Sequence, residues 1–167
     1  ACIEPDPSFA TTTARKLLAG QRGPVTLPIL AQIALHADGR GEMVRTGIAA
    51  EFPRADHRRA GLARRYTIHT ALYGQGPVAR GVGLFDWASG ASTIHDFGPG
   101  QMVEEFVFAA DGAGEADGWL VGTTLNLAAG ATELHVLRAG DVAGGPVATW
   151  RCGHALPISF HGSFVMS

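Results

Sequence analysis

"WLVGTTLNLAAGATELHVL", residues 119–137, holds two apolar runs on either side of a turn of small residues at Ala129-Gly130. Runs of this length bounded by glycine read as the two strands of a β-hairpin. The same unit occurs twice more, as "ILAQIALHADGRGEMVRTGI" at 29–48 and "GVGLFDWASGASTIHDF" at 81–97. The turns are expected at Asp38-Gly39, Ser89-Gly90 and Ala129-Gly130, so the turn glycines are 51 and 40 residues apart. Hairpins at that spacing resemble the blades of a β-propeller, each about four strands and ~40–50 residues. A β-sandwich also strings hairpins together. The ending "LPISFHGSFVMS", 156–167, favours the propeller. Ile158, Phe160, Phe164 and Val165 put apolar residues on both faces, as an innermost strand requires and a half-solvated sandwich strand does not. The expectation is an all-β chain, part of a propeller, that ends in core.

The rest of the sequence sets the frame. A chain of 167 residues suffices for one domain with a core. Residues 29–167 carry the blade hairpins, and 1–28 read as loop with one short helix. In "TTTARKLLAG", Thr11 to Thr13 are candidate N-caps and Gly20 the C-terminal glycine. Apolar residues make up 46% and charged residues 17%, and the formal net charge is −2. That balance argues against a nucleic-acid binder, which works by neutralising phosphates. The 23 glycines and 9 prolines suit short elements joined by many turns. Cys2 and Cys152 read as two free buried thiols, with a disulfide left open. The opening "ACIEPDPSF" has no secretory signal, and the longest uncharged apolar stretch, Pro24 to Ala37, is too short to span a bilayer. A soluble, cytoplasmic protein is expected.

Taken one at a time, the chemistry-bearing residues say little. His161, in an apolar run with Gly162 behind it, reads by itself as a core histidine bonded to a carbonyl. His36-Ala37-Asp38 has the spacing of a metal-binding H-x-D pair, but Asp38-Gly39 is a strong hairpin-turn dipeptide. Arg54, Arg58, Arg59, Arg64 and Arg65 could bind phosphate, yet nearby acids and the low overall charge favour a solvated loop. "GPGQ" at 98–101 and "GQGPVARG" at 74–81 precede no helix and are loops, not phosphate cradles.

Taken together, several stretches are similar to one family. "EFPRADHRRAG" at 51–61, "GPGQMVEEFVF" at 98–108, "ADGWLVG" at 116–122, "LHVLRAGDVAGGPVA" at 134–148 and "LPISFHGSFV" at 156–165 resemble the C-terminal part of the carotenoid cleavage oxygenases. That family includes the lignostilbene dioxygenases and the retinal pigment epithelial isomerohydrolase. The resemblance runs from about Pro28 to the end. It implies a seven-bladed β-propeller, of which this chain would hold the last two or three blades. On the propeller axis the family holds Fe(II) through four histidines, and one of them lies in a terminal F-H-G motif, here His161.

The resemblance also implies second-shell glutamates that orient those histidines. Glu51 matches one and Glu105 the other, with Glu104 one register step away. A ligating imidazole uses one nitrogen, and its other N–H needs an acceptor that fixes the tautomer. A buried carboxylate near a dication is one of the few settings for an isolated glutamate in an apolar strand. Gly162 would let the backbone pass close to the site. His161 is expected to be buried, to point toward the axis and to lie within hydrogen-bond reach of Glu105.

The implied reaction inserts O₂ across a C=C bond of a carotenoid, apocarotenoid or stilbene, giving two carbonyl products. The implied partners are therefore an apolar small molecule, O₂, and the missing N-terminal part of the propeller, in the same polypeptide or a second chain. Phe52, Phe106 and Phe160 are candidate walls of a substrate tunnel, with core packing equally open. The family's other three iron ligands have no counterpart among His36, His57, His69, His95, His135 and His154. These 167 residues by themselves are expected to be inactive. The alternative is a non-catalytic β-rich interaction module that kept the scaffold.

Overall fold

The computed structural model describes residues 2–4, 14–21, 27–72 and 78–165. Ten strands dominate it: β1 (Cys2–Glu4), β2 (Ile29–Leu35), β3 (Gly41–Arg54), β4 (Tyr66–Leu72), β5 (Ala79–Asp86), β6 (Ala91–Asp96), β7 (Gln101–Ala110), β8 (Gly118–Asn126), β9 (Ala131–Arg138) and β10 (Pro146–Arg151). All neighbouring strands are antiparallel, in a six-stranded sheet ordered β1 to β6 and a four-stranded sheet ordered β10-β9-β8-β7. Each of the three quoted repeats is a hairpin: β2/β3, β5/β6 and β8/β9. Their turn glycines Gly39, Gly90 and Gly130 have φ of 86°, 71° and 58°, a left-handed conformation that costs glycine nothing.

The fourteen residues of β3 do two jobs. Its first half pairs with β2 as a two-stranded ribbon, and from Ala50 it pairs with β4. The last residues of β3 with β4, β5 and β6 therefore make one four-stranded blade, and β7 to β10 make a second. The fold is a portion of a β-propeller. The first blade is covered on both faces, which is why β4 is buried almost end to end instead of alternating. One face meets the second blade through Ile68, Val82, Phe106, Phe108, Leu120 and Leu137. The other meets the ribbon through Leu30, Ala50 and Phe85. The second blade keeps an apolar outer region open, at Leu134, Val147 and Trp150.

The helix Ala14–Leu18 ends as the sequence indicates. Gly20 takes φ of 70°, and the amide of Gln21 reaches back to the carbonyl of Lys16 at 2.7 Å. The candidate caps Thr11 to Thr13 lie outside the described residues. β1, at Cys2–Glu4, adds a strand in a stretch that reads as loop. Cys2 and Cys152 are free thiols, both half-buried. No helix among the described residues is long and apolar enough to cross a membrane.

The ending differs from its expected form. Residues 152–165 make no strand, and Ile158, Phe160, Phe164 and Val165 are all exposed, Phe160 by 72%. The apolar pattern on both faces is present, but no strand among the described residues lies alongside to cover either face. Instead the segment crosses the second blade from its outer edge inward, held by side chains. Leu156 N donates to Thr132 Oγ1 on β9, Ser159 N to Glu104 on β7, and Gly162 N to Glu105 on β7.

Candidate functional site

A β-bulge sits in the innermost strand of each blade. In β3, Glu51 pairs with Thr70 and Arg54 with Ile68, so Phe52 and Pro53 together oppose the single position His69. Phe52 takes φ of 49°, a left-handed conformation rare for a bulky side chain. Pro53 has no N–H to give a ladder, and a bulge is one of the few places a strand tolerates it. In β7, Val103 pairs with Thr124 and Phe106 with Gly122, so Glu104 and Glu105 together oppose Thr123. In a regular strand, adjacent side chains point to opposite faces. The bulge breaks that alternation, and both glutamates are buried and reach the same segment.

The two carboxylates hold the C-terminal segment at successive points. Glu104 accepts hydrogen bonds from Thr123 Oγ1, from Ser159 N at 2.9 Å and from Ser159 Oγ at 2.8 Å. Glu105, whose side chain is 4% exposed, accepts four. Arg54 Nε donates to its Oε1 at 2.6 Å and Arg54 Nη2 to its Oε2 at 2.7 Å; Gly162 N donates to Oε2 at 2.7 Å and His161 Nδ1 to Oε1 at 3.2 Å. Burial alone would raise the Glu105 pKa. The hydrogen bonds from Arg54, Gly162 and His161, with the Arg54 charge, outweigh it and hold the carboxyl below the ordinary glutamate value. An ionised carboxylate only accepts, so His161 Nδ1 carries the proton, and in the neutral imidazole the lone pair is then on Nε2.

The His161 ring is packed as well as tethered. Phe52, Phe160 and His161 form a triangle of edge contacts, each pair of ring centroids 5.7 Å apart. Phe52 and His161, with Pro53, Arg54 and Glu105, border an open recess of about 440 Å³. The expectation of a buried His161 is corrected: its side chain is 68% exposed, because none of the described residues lies across the recess. The glutamate contact is present, and of the two neighbouring acids it is Glu105 that makes it.

The other candidates separate. Glu51 is half-buried on β3, and its carboxylate has no hydrogen-bond partner among the described residues. Burial therefore raises its pKa, opposite to Glu105. Phe106 takes the core alternative: it is 1% exposed, stacked on Phe97 at 6.0 Å inside the core between blades. Its position after the bulge turns it to the face opposite the recess. Phe52 borders the recess, and Phe160, 72% exposed, touches it only through its edge contacts with Phe52 and His161. The H-x-D spacing at His36 is a turn, in which the Asp38 carboxylate accepts from the amide and Nε of Arg40 at 3.0 and 2.7 Å.

His69 and His135 are buried and hydrogen-bonded on both ring nitrogens. Among the described residues, no three His, Cys, Asp or Glu side chains converge on one point as a ligand set. The arginine-rich loop is solvated, with Arg58, Arg64 and Arg65 exposed, and acidic residues meet part of its charge. Arg58 pairs with Asp56, Arg65 with Asp86, and Arg54 belongs to the site. Sequence reasoning missed Arg54; the signal available was its place directly after Pro53, a proline inside a strand run.

The chain matches the profile of the retinal pigment epithelial membrane protein family over residues 10–166. It is 29% identical over 122 residues to the apocarotenoid-15,15′-oxygenase of Synechocystis sp., which covers 70% of this chain and 25% of that protein. Its fold is similar to crystal structures of the Synechocystis apocarotenoid oxygenase, including the cobalt-substituted enzyme, with a TM-score of 0.79 and 24% identity. A chimera of that oxygenase with the retinal pigment epithelial protein matches to the same degree. These superpositions cover 85% of this chain and 31% of the solved ones. The chain thus spans between a quarter and a third of the length of these relatives.

Proposed function

The chain belongs to the retinal pigment epithelial membrane protein family of carotenoid-cleaving oxygenases, and from that premise we infer that it is the C-terminal part of a non-haem Fe(II) dioxygenase. The complete protein would cleave one C=C bond of a carotenoid, apocarotenoid or stilbene with O₂, giving two carbonyl products. The observation that carries this reading is the His161–Glu105 contact. A histidine whose Nδ1–H is held by a buried carboxylate offers Nε2 as a metal ligand in a fixed tautomer, which is how such ligands are oriented.

The donor set here fits one coordination position and not a whole site. His161 would supply one ligand, and the other three would come from propeller residues outside the described part. Glu51, half-buried with no hydrogen-bond partner among the described residues, suits the support of a histidine brought in by another blade. When bound, Fe(II) supplies binding and activation of O₂ next to the double bond. The remaining work belongs to side chains of this chain. Glu105 keeps the proton on Nδ1. Phe52, at the recess, and Phe160, on the other edge of the His161 ring, would offer apolar surface to a polyene or stilbene. The exposed row Ile158, Phe160, Phe164 and Val165 would be covered by the N-terminal part of the propeller.

The test uses the complete protein. His161→Ala should abolish iron retention, measured by metal analysis after dialysis, together with substrate cleavage. Glu105→Gln should weaken iron affinity by about 10–100-fold. Full iron content in the purified His161→Ala protein would refute the assignment.

A further inference from the structure

His161 hangs on an arginine as well as a glutamate. Arg54 donates two hydrogen bonds to the Glu105 carboxylate, and its Nη2 also reaches the carbonyl of Gly162 at 2.9 Å. Glu105 Oε2 in turn accepts the Gly162 amide at 2.7 Å. Both backbone groups of the residue after His161 are therefore taken by one ion pair, which occupies the place a neighbouring strand would fill. Among the described residues, the other hydrogen bonds from the segment 152–165 to the blades go to the second blade, and the first blade holds it through Arg54 and the ring contacts of Phe52.

Reach and shape both single out Arg54. In a regular ladder, residues three apart point to opposite faces. The bulge at Phe52-Pro53 adds one residue, so Glu51 and Arg54 pair with Thr70 and Ile68, two apart, and share a face. A guanidinium is a rigid planar fork that can meet a carboxylate with two N–H groups and still give a third bond in the same plane. An ammonium is a point donor and cannot span these three acceptors at once.

We propose that Arg54 is the positioning residue of this site: by holding the Glu105 carboxylate and the Gly162 peptide together, it sets the register and ring orientation of His161. Without it, the Glu105 carboxylate and the Gly162 peptide lose their shared partner and are free to move apart, carrying His161 out of its triangle with Phe52. The purpose of the clamp rests on reading His161 as a ligand, but its geometry does not, so the two can fail separately.

The experiment uses the 167-residue chain without metal. Amide hydrogen exchange is read at Gly162 and Ser159, and the His161 tautomer by long-range proton–nitrogen NMR at about pH 8.5, two units above the ordinary imidazole value. In Arg54→Ala, Gly162 should exchange about 10–100-fold faster, the equivalent of one charge-assisted bond or more. The Nδ1–H share of His161 should fall, while Ser159, held by Glu104, should change by less than about twofold. Arg54→Lys keeps the charge without the fork, and should leave Gly162 still about 10-fold less protected. That variant decides the matter if Arg54→Ala does not fold. The proposal is overturned if Arg54→Lys leaves Gly162 exchange and the His161 tautomer as in the wild type. It is equally overturned if exchange rises uniformly through β7 and β8, which would make Arg54 a prop of the fold only. Iron retention in the complete protein is read on His161→Ala, a measurement whose failure would leave the clamp standing.

Discussion

The same substitution in the two candidate glutamates should move stability in opposite directions. Glu105 accepts four hydrogen bonds. Glutamine keeps one acceptor oxygen. Placed at the Oε2 position it retains Gly162 N and Arg54 Nη2, but its NH₂ then faces two donors, Arg54 Nε and His161 Nδ1. Two charge-assisted bonds are lost, each contributing about 1.5 kcal/mol or more. The Arg54 side chain is 38% exposed and can partly rehydrate, which puts the net cost of Glu105→Gln at about 2–3 kcal/mol. For a chain of this length that is a fall in melting temperature of about 5–10 °C.

Glu51→Gln should instead raise the melting temperature at neutral pH, because it removes a half-buried charge with no partner among the described residues. Both effects depend on ionisation. The native Glu105 pKa lies below the ordinary 4.5, so its contribution is full above that pH and lost as pH falls through the lowered native value. The native Glu51 pKa lies above 4.5, so its penalty is full above the raised value and gone below 4.5. Thermal melts of wild type and both variants, at neutral pH and in steps downward, should converge in acid. Shifts of the same sign in the two variants at neutral pH would refute the reasoning.

Two further outcomes test the frame that carries the site. A methyl added at Gly122 would lie 2.5 Å from Phe106 Cγ and 2.8 Å from the Glu105 carbonyl. Gly122→Ala should therefore cost about 2–3 kcal/mol, visible as a lower melting temperature and weakened near-UV circular dichroism, and an unchanged melt would contradict the close packing of β8 on the bulge. His69 is fully buried, and burial, only partly offset by its bond to the Thr70 carbonyl, lowers its pKa from 6.5. It stays neutral in the fold while the unfolded chain takes up a proton, so stability present above 6.5 is lost as pH falls. His69→Gln should flatten the fall of melting temperature between about pH 7 and 5 relative to wild type, and equal slopes would assign that fall to other groups.

Much of this protein was legible in one dimension. A hairpin is a local object, and Asp38-Gly39, Ser89-Gly90 and Ala129-Gly130 state it through the left-handed backbone their glycines adopt. The motifs around Glu51, Glu105 and His161 marked the family, and with it the propeller. Hydrophobic patterning also separated β-structure from helix, because strand and helix periods differ.

What patterning could not reveal is where the period of two is broken. The bulges at Phe52-Pro53 and Glu104-Glu105 exist only in the pairing of β3 with β4 and β7 with β8. Only there do two adjacent glutamates turn to one segment and Arg54 leave a loop-like basic cluster to join Glu105, 51 residues away. The ending shows the same limit from the other side. Its residues announce burial, but burial is a relation between a side chain and whatever lies across from it. Ile158, Phe160, Phe164 and Val165 are exposed because none of the described residues lies across from them, and a sequence pattern does not carry the position of a neighbour.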